Sequence, residues 1–153
     1  VEVRGDQILR EYWRRPDATA EARREDGWFI TGDIGSLDDE GRVTLEGRAS
    51  DMIISGGENV YPKEIELVLD AVEGVVESAV IGVPHADFGE TVAAVIVDAD
   101  TPATDEALDQ ALRSSLARFK HPKQIIRVDA LPRNTMGKVQ KKMLRELYSA
   151  AKG

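Results

Sequence analysis

The apolar pattern of the chain changes at Asp51. Beyond that point short apolar runs alternate with stretches of helical periodicity, which restricts this part to an α/β arrangement with a small sheet covered by helices. Pro62 suits a first helical position, where its missing N–H costs nothing, and Ile65, Val68, Leu69 and Val72 recur behind it at helical spacing. Strands are expected over Ser78–Val83, Thr91–Val97 and Gln124–Val128. A helix over Ala107–Ala117 is expected to be capped by Thr104 or Asp105, and a final helix to run over Val139–Ala150.

The first third has another character. Val1–Val3 and Trp28–Ile30 are strand-like, and Leu37-Asp38-Asp39-Glu40-Gly41 is a turn leading into the alternating Val43-Thr44-Leu45. Between them Asp17 is expected to cap a short helix over Ala18–Arg24. This segment is β-rich and short of large apolar residues, so residues 1–49 read as the torn edge of a larger domain, with the boundary at Gly47–Asp51. There is no internal repeat and no low-complexity segment.

Charge narrows the partners. Lys and Arg number 20 against 28 Asp and Glu, a net −8, which argues against nucleic acid and anionic membranes because phosphate-rich surfaces need a cationic footprint. The 42% hydrophobic and 31% charged content is that of a soluble globular protein. With no Cys, disulfides, thiolate metal sites and Cys nucleophiles are removed together, and with 2 His a zinc site is not expected. No apolar run approaches the roughly 20 residues that span a bilayer, and Val1-Glu2-Val3-Arg4-Gly5 is not a signal peptide. The cytoplasm is the expected compartment.

Four segments carry candidate chemistry. Thr31-Gly32-Asp33 follows a strand, and a carboxylate beside a glycine that admits a ligand to the backbone can accept both hydroxyls of a ribose; an Asp turn is the plainer alternative. Arg48 offers a planar donor fork for phosphate or ribose oxygens, and Gly56-Gly57 a bare-backbone path for an extended ligand. These are equally a surface ion pair and a hairpin turn. Lys138, on the loop Leu131-Pro132-Arg133-Asn134-Thr135-Met136-Gly137-Lys138, can neutralise charge growing on a carboxylate or phosphoryl group, or be a solvated loop lysine. Gly137-Lys138 is no P-loop, since the upstream glycine is missing. Phe119-Lys120-His121-Pro122-Lys123 combines a ring with cations, as base stacking and phosphate pairing require, or else marks a helix end. His85 beside Asp87 and Glu90 lacks a paired nucleophile and is not taken as an acid/base site.

In this order the segments resemble the adenylate-forming (AMP-binding) acyl-CoA synthetase superfamily, over essentially the whole chain. The resemblance rests on Trp28-Phe29-Ile30-Thr31-Gly32-Asp33, Gly47-Arg48-x-x-Asp51, Gly57-x-x-x-x-Pro62-x-Glu64-Ile65-Glu66 and Asn134-x-x-Gly137-Lys138. Three stretches, Val60–Glu66, Glu77–Glu90 and Arg133–Lys141, look most like malonyl-CoA synthetases.

The resemblance implies an α/β (α+β) fold, a small mixed sheet flanked by helices. That fold is the C-terminal lid over residues 50–153, preceded at 1–49 by the β-rich edge of the large N-terminal ATP- and acid-binding domain, with a hinge at Ser50, where relatives usually carry Asp or Lys. It implies an acid-thiol ligase that activates a carboxylate with ATP and Mg²⁺ to an acyl-adenylate and transfers it to coenzyme A, with malonate favoured. A medium-chain fatty or aryl acid, or a non-catalytic binding domain of the same fold, are the alternatives. Carried over by residue, Asp33 and Arg48 bind the nucleotide and Lys138 is the catalytic lysine. Gly56 and Gly57 line the pantetheine path, and Phe119, His121 and Lys123 lie near the nucleotide end of CoA. His121 replaces an Arg of some relatives, so its charge depends on pH. Implied partners are the small-molecule substrates, the chain's own N-terminal domain and a lysine acetyltransferase acting on Lys138. This fragment alone is expected to be inactive.

Overall fold

A computed structural model describes residues 1–149. It divides into two compact units, Val1–Ser50 and a second beginning at Asp51.

In the first unit, β1 (Glu2–Val3) pairs antiparallel with β2 (Phe29–Ile30), and β3 (Asp33–Leu37) with β4 (Val43–Arg48). No residue in it is buried, and Trp13 is 79% exposed. The expected cap at Asp17 is not observed. Helix α1 spans Pro16–Glu21 with Arg15 at the cap position and no side-chain cap. Pro16, with φ already fixed and no N–H to satisfy, starts the helix ahead of Asp17. Asp17 therefore sits inside the first turn, where bonding to the Arg15 guanidinium holds its carboxyl below the usual range.

The second unit holds β5 (Ile53–Ser55), β6 (Glu58–Val60), α2 (Pro62–Asp70), β7 (Val75–His85), β8 (Gly89–Asp98), α3 (Asp105–Ser115), β9 (Gln124–Val128) and α4 (Lys141–Ser149). The strands form one mixed sheet. β8 pairs antiparallel with β7 along nearly its whole length, while its other edge takes β5 at Ser55↔Gly89 and then β9, parallel, from Ala93↔Gln124 to Val97↔Val128. A parallel pair needs a crossover, which α3 supplies.

The sheet is buried on both faces, and the strand period of two sorts its residues. Val80, Val92, Ala94 and Ile96 pack with Ile65, Leu69, Leu108 and Leu112 of α2 and α3. Ala79, Ile81, Val83, Ala93 and Val95 pack with Leu131 and with Leu144 of α4. Pro62 opens α2 as expected, and the Thr104 hydroxyl accepts the Ala107 N–H at 3.2 Å to cap α3. Helix α4 begins two residues after the expected Val139, and Ala150 lies outside the described residues. No helix of the described residues is long and apolar enough to cross a membrane.

Candidate active site

Lys138 stands on an exposed loop that is nevertheless tightly specified. Asn134 Oδ1 accepts the N–H groups of Met136 and Lys138, each at 3.0 Å. The Asn134 N–H donates to the Lys138 carbonyl at 2.9 Å, and the Gly137 N–H returns to the Asn134 carbonyl at 2.9 Å. Gly137, at φ +77°, takes the left-handed conformation the turn needs. Arg133 clamps the result, donating through Nη1 to the Gly137 carbonyl at 2.6 Å and through Nη2 to Glu77 near the start of β7. Among the described residues no carboxylate pairs with the Lys138 ammonium, so its charge is available to a ligand.

Gly56 and Gly57 form the two-residue turn between β5 and β6, at φ +60° and +87°. Positive φ at both positions is the hairpin geometry matched to strand twist. A Cβ on Gly56 would come within 3.3 Å of the Phe88 ring, so this glycine also admits that ring to the backbone.

Phe119 lies in a 3₁₀ turn, Arg118–Lys120, and is 42% exposed. Lys120 stands over its ring at 5.7 Å and is bound by both Glu64 oxygens at 2.7 Å. His121 Nε2 is 3.0 Å from the Leu116 carbonyl, which makes it the donor there. Lys123 is exposed, with its N–H bonded to the Val92 carbonyl at 2.8 Å.

In the first unit Asp33 and Arg48 are opposite one another across β3 and β4. Arg48 Nε is 3.0 Å from Asp33 Oδ1 and its Nη1 donates to the Thr31 carbonyl at 2.7 Å, while the Thr31 hydroxyl accepts the Asp33 N–H at 3.0 Å. The pair is a surface ion pair, as one reading had it, and also a fork and carboxylate presented side by side. Ser50 is the middle residue of a 3₁₀ turn, Ala49–Asp51, and is exposed.

Four side chains to which sequence reasoning gave no role support these elements. Arg133 and Glu77 hold the Lys138 loop. Glu66, 6% exposed, accepts the Val80 N–H at 2.8 Å and binds Lys141 at 2.6 Å, tying α2 to α4 across the edge strand β7. Glu90 accepts the Ile54 N–H at 3.2 Å. A charged residue inside the apolar run of α2 was the available signal for Glu66, since a buried carboxylate needs a partner. Among the described residues no group of three or more His, Asp or Glu side chains is placed to hold a metal ion.

Residues 64–138 match the family described as AMP-binding enzyme C-terminal domain. The chain is 49% identical over 150 residues to a long-chain-fatty-acid–CoA ligase of Mycobacterium tuberculosis, covering 98% of this chain and 30% of the relative. It is 45% identical over 151 residues to a 4-chlorobenzoate–CoA ligase of an Arthrobacter species, covering 98% and 28%. The crystal structure of ATP-bound MatB from Rhodopseudomonas palustris superposes with a TM-score of 0.86 at 55% identity, over 97% of this chain and 30% of that one. The chain thus spans about a third of the length of the relatives it matches. With the family match falling within the second unit and the relatives aligned through both units, the chain carries the C-terminal domain of the AMP-binding enzymes and is similar along nearly its whole length to acyl-CoA ligases.

Proposed function

We propose that the chain is the C-terminal part of an AMP-forming acid:CoA ligase in which residues 50–153 are a mobile lid, pivoting at Ser50, and residues 1–49 are the edge of the large substrate-binding domain. The observation that carries this reading is the placement of the two reactive loops on the β7–β8 hairpin. The Lys138 loop is fastened at Glu77, and the Gly56-Gly57 turn is fastened at Phe88, beside the far end of the same hairpin. The eight residue steps from Glu77 to His85 span about 26 Å at strand rise. Loops that far apart on one stiff hairpin cannot both serve one carbonyl carbon without the unit turning. The lack of any buried residue in the first unit supports its being an edge that a further domain covers.

In the first step a carboxylate oxygen attacks the ATP α-phosphate, pyrophosphate leaves, and an acyl-adenylate remains. Lys138 offsets the charge that accumulates as two anions meet, and a preorganised ammonium does so without reorganising at the moment of reaction. Asp33 and Arg48 hold the ribose hydroxyls and adjoining oxygens. In the second step the lid turns and brings the Gly56-Gly57 face to the adenylate. The CoA thiol gives its proton to solvent, its sulfur attacks the acyl carbon, and the bond from that carbon to the phosphate oxygen breaks as AMP departs. Phe119, His121 and Lys123 receive the CoA nucleotide. Magnesium is expected to arrive with ATP, and no step is assigned to a metal held by this chain.

Malonate is the acid favoured by the likeness of Val60–Glu66, Glu77–Glu90 and Arg133–Lys141 to malonyl-CoA synthetases. The test is Lys138→Ala in the full-length enzyme. Acid-dependent pyrophosphate release falls on the order of 10²-fold or more, while CoA transfer from synthetic acyl-adenylate is retained. Equal loss in both assays refutes the role of Lys138. Faster pyrophosphate release with octanoate or 4-chlorobenzoate than with malonate refutes the choice of acid.

A further inference from the structure

We propose that Glu90 is a positioning residue for the Gly56-Gly57 turn, acting in the thioester-forming step through the Ile54 amide. The inference rests on the ligase reading above and assigns to that reading's second step a residue with no reactive role of its own.

The β5–β6 hairpin is fixed at its base and weakly held at its tip. Ile53 and Val60, paired across the base, are fully buried in the core. Ile54 and Glu58, nearer the turn, are exposed. The hairpin joins β8 through one strand pair, Ser55↔Gly89. Two hydrogen bonds flank that pair. Gly56 donates to the Phe88 carbonyl at 3.2 Å, and Ile54 donates to Glu90 Oε2 at 3.2 Å. The second puts a side-chain acceptor where a ladder would offer a backbone carbonyl, and the Glu90 backbone N–H is turned to the Phe88 carbonyl at 2.8 Å instead of across to β5.

The neighbouring strand is built to accept the carboxylate in that place. Glu90 pairs with Pro84, so Gly82 is its diagonal neighbour on the same face of the hairpin. A Cβ on Gly82 would stand 3.0 Å from Glu90 Oε1 and 3.1 Å from its carboxyl carbon. Gly82 does not have a positive φ, so what the glycine provides is room for the carboxylate, which a Cβ would displace by a few tenths of an ångström, and not a special backbone conformation. Glycine, carboxylate and amide form a fixed line from the rigid β7–β8 pair to the residue two before the turn. Without it the tip is held to β8 only through the Ser55↔Gly89 pair and the Gly56 bond to the Phe88 carbonyl, and a displacement of an ångström is enough to spoil a thiol's approach.

The experiment uses the full-length enzyme and measures the two half-reactions separately, with thermal unfolding as the check on folding. Glu90→Ala is expected to slow CoA transfer from acyl-adenylate by about tenfold or more in kcat, with pyrophosphate release in the absence of CoA within about twofold of wild type. Glu90→Gln keeps an acceptor oxygen and is expected to restore most of the rate. Gly82→Ala leaves the carboxylate in the chain but pushes it from its seat, and is expected to cause the same selective loss to a smaller degree. Amide exchange at Ile54 and Gly56 is expected to rise in Glu90→Ala while exchange at the centre of β8 is unchanged. Equal loss in both half-reactions, unchanged CoA transfer, or unchanged exchange at Ile54 overturns the assignment while leaving the ligase reading intact. A wild-type enzyme that releases no pyrophosphate with any acid overturns the ligase reading, and this inference with it.

Discussion

Removing the Glu66 carboxylate is expected to be among the most damaging single changes to the second unit. Its Oε1 accepts the Val80 N–H at 2.8 Å and the Lys141 ammonium at 2.6 Å, and the two charged side chains are 8% and 18% exposed. Glu66→Leu strands a nearly buried ammonium and an edge-strand amide together. Breaking a buried pair by deleting one partner costs about 3–5 kcal/mol, and the residual water at Lys141 places this case near 3. With a urea dependence of about 2 kcal/mol per molar, the unfolding midpoint falls by about 1.5 M. Lys141→Met leaves the more deeply buried charge and is expected to cost more. The double variant Glu66→Leu/Lys141→Met strands only the Val80 amide, worth about 1–3 kcal/mol, so its loss lies below that of Lys141→Met alone. Urea unfolding of the three variants, read by circular dichroism, measures this. The transition reports the second unit because the first buries nothing. Additive losses in the double variant, or a midpoint shift in Glu66→Leu under about 0.5 M, refute the buried-pair argument.

Other consequences of the same geometry are open to test. Arg133→Ala frees the Gly137 carbonyl and Glu77, so adenylation by the full-length enzyme is expected to fall about tenfold with CoA transfer unchanged; a loss confined to CoA transfer contradicts the loop assignment. Acetylating Lys138 removes the charge that the proposed first step assigns to it, and a homogeneously acetylated enzyme that still releases pyrophosphate at the normal rate excludes that role. The 153-residue chain by itself offers ATP one ion pair and a few exposed donors, each worth about 0.5–1.5 kcal/mol against an association cost of several. Calorimetry is expected to find a dissociation constant no tighter than about 1 mM, and a micromolar value rules out the lid reading.

What the sequence made legible was local. Pro62, Thr104 and the apolar run at Gln124–Val128 each announce an element through bonds or dihedrals within a few residues, and the structure places α2, α3 and β9 there. The β7–β8 hairpin runs longer than its apolar centre, to His85 and Gly89, because two antiparallel partners continue to pair through polar residues once the core has aligned them. The short β5 and β6 strands carry no periodic signal of their own and exist because Gly56-Gly57 folds one onto the other. Asp17 failed as a cap because Pro16 settled where the helix begins. The candidate site divides in the same way. Lys138 and Gly56-Gly57 stand out by residue type and spacing, whereas their supports lie across 36 residues from Ile54 to Glu90 and 56 from Glu77 to Arg133. Such pairs become visible only when strands are in register.

That division follows from what a reactive loop must be. A side chain or bare backbone that meets a substrate cannot also be covered by apolar packing, so the usual source of order in a protein is not available to it. The Lys138 loop from Arg133 onward and the Gly56-Gly57 turn are exposed, with positive φ at Gly137, Gly56 and Gly57 setting their shape. Their order comes instead from directional bonds to backbone: Asn134 and Arg133 on one loop, Glu90 and the Phe88 carbonyl on the other. The Arg133 bonds reach Glu77 on β7 and the Ile54 bond reaches Glu90 on β8, strands that are buried along their centres on both faces. Rigidity is therefore generated in the sheet and exported to its ends by single side chains. On the proposed reading, such a unit can turn as one body because the named bonds of both loops lie within it, and the two half-reactions are expected to be separable by substitutions that never touch a substrate.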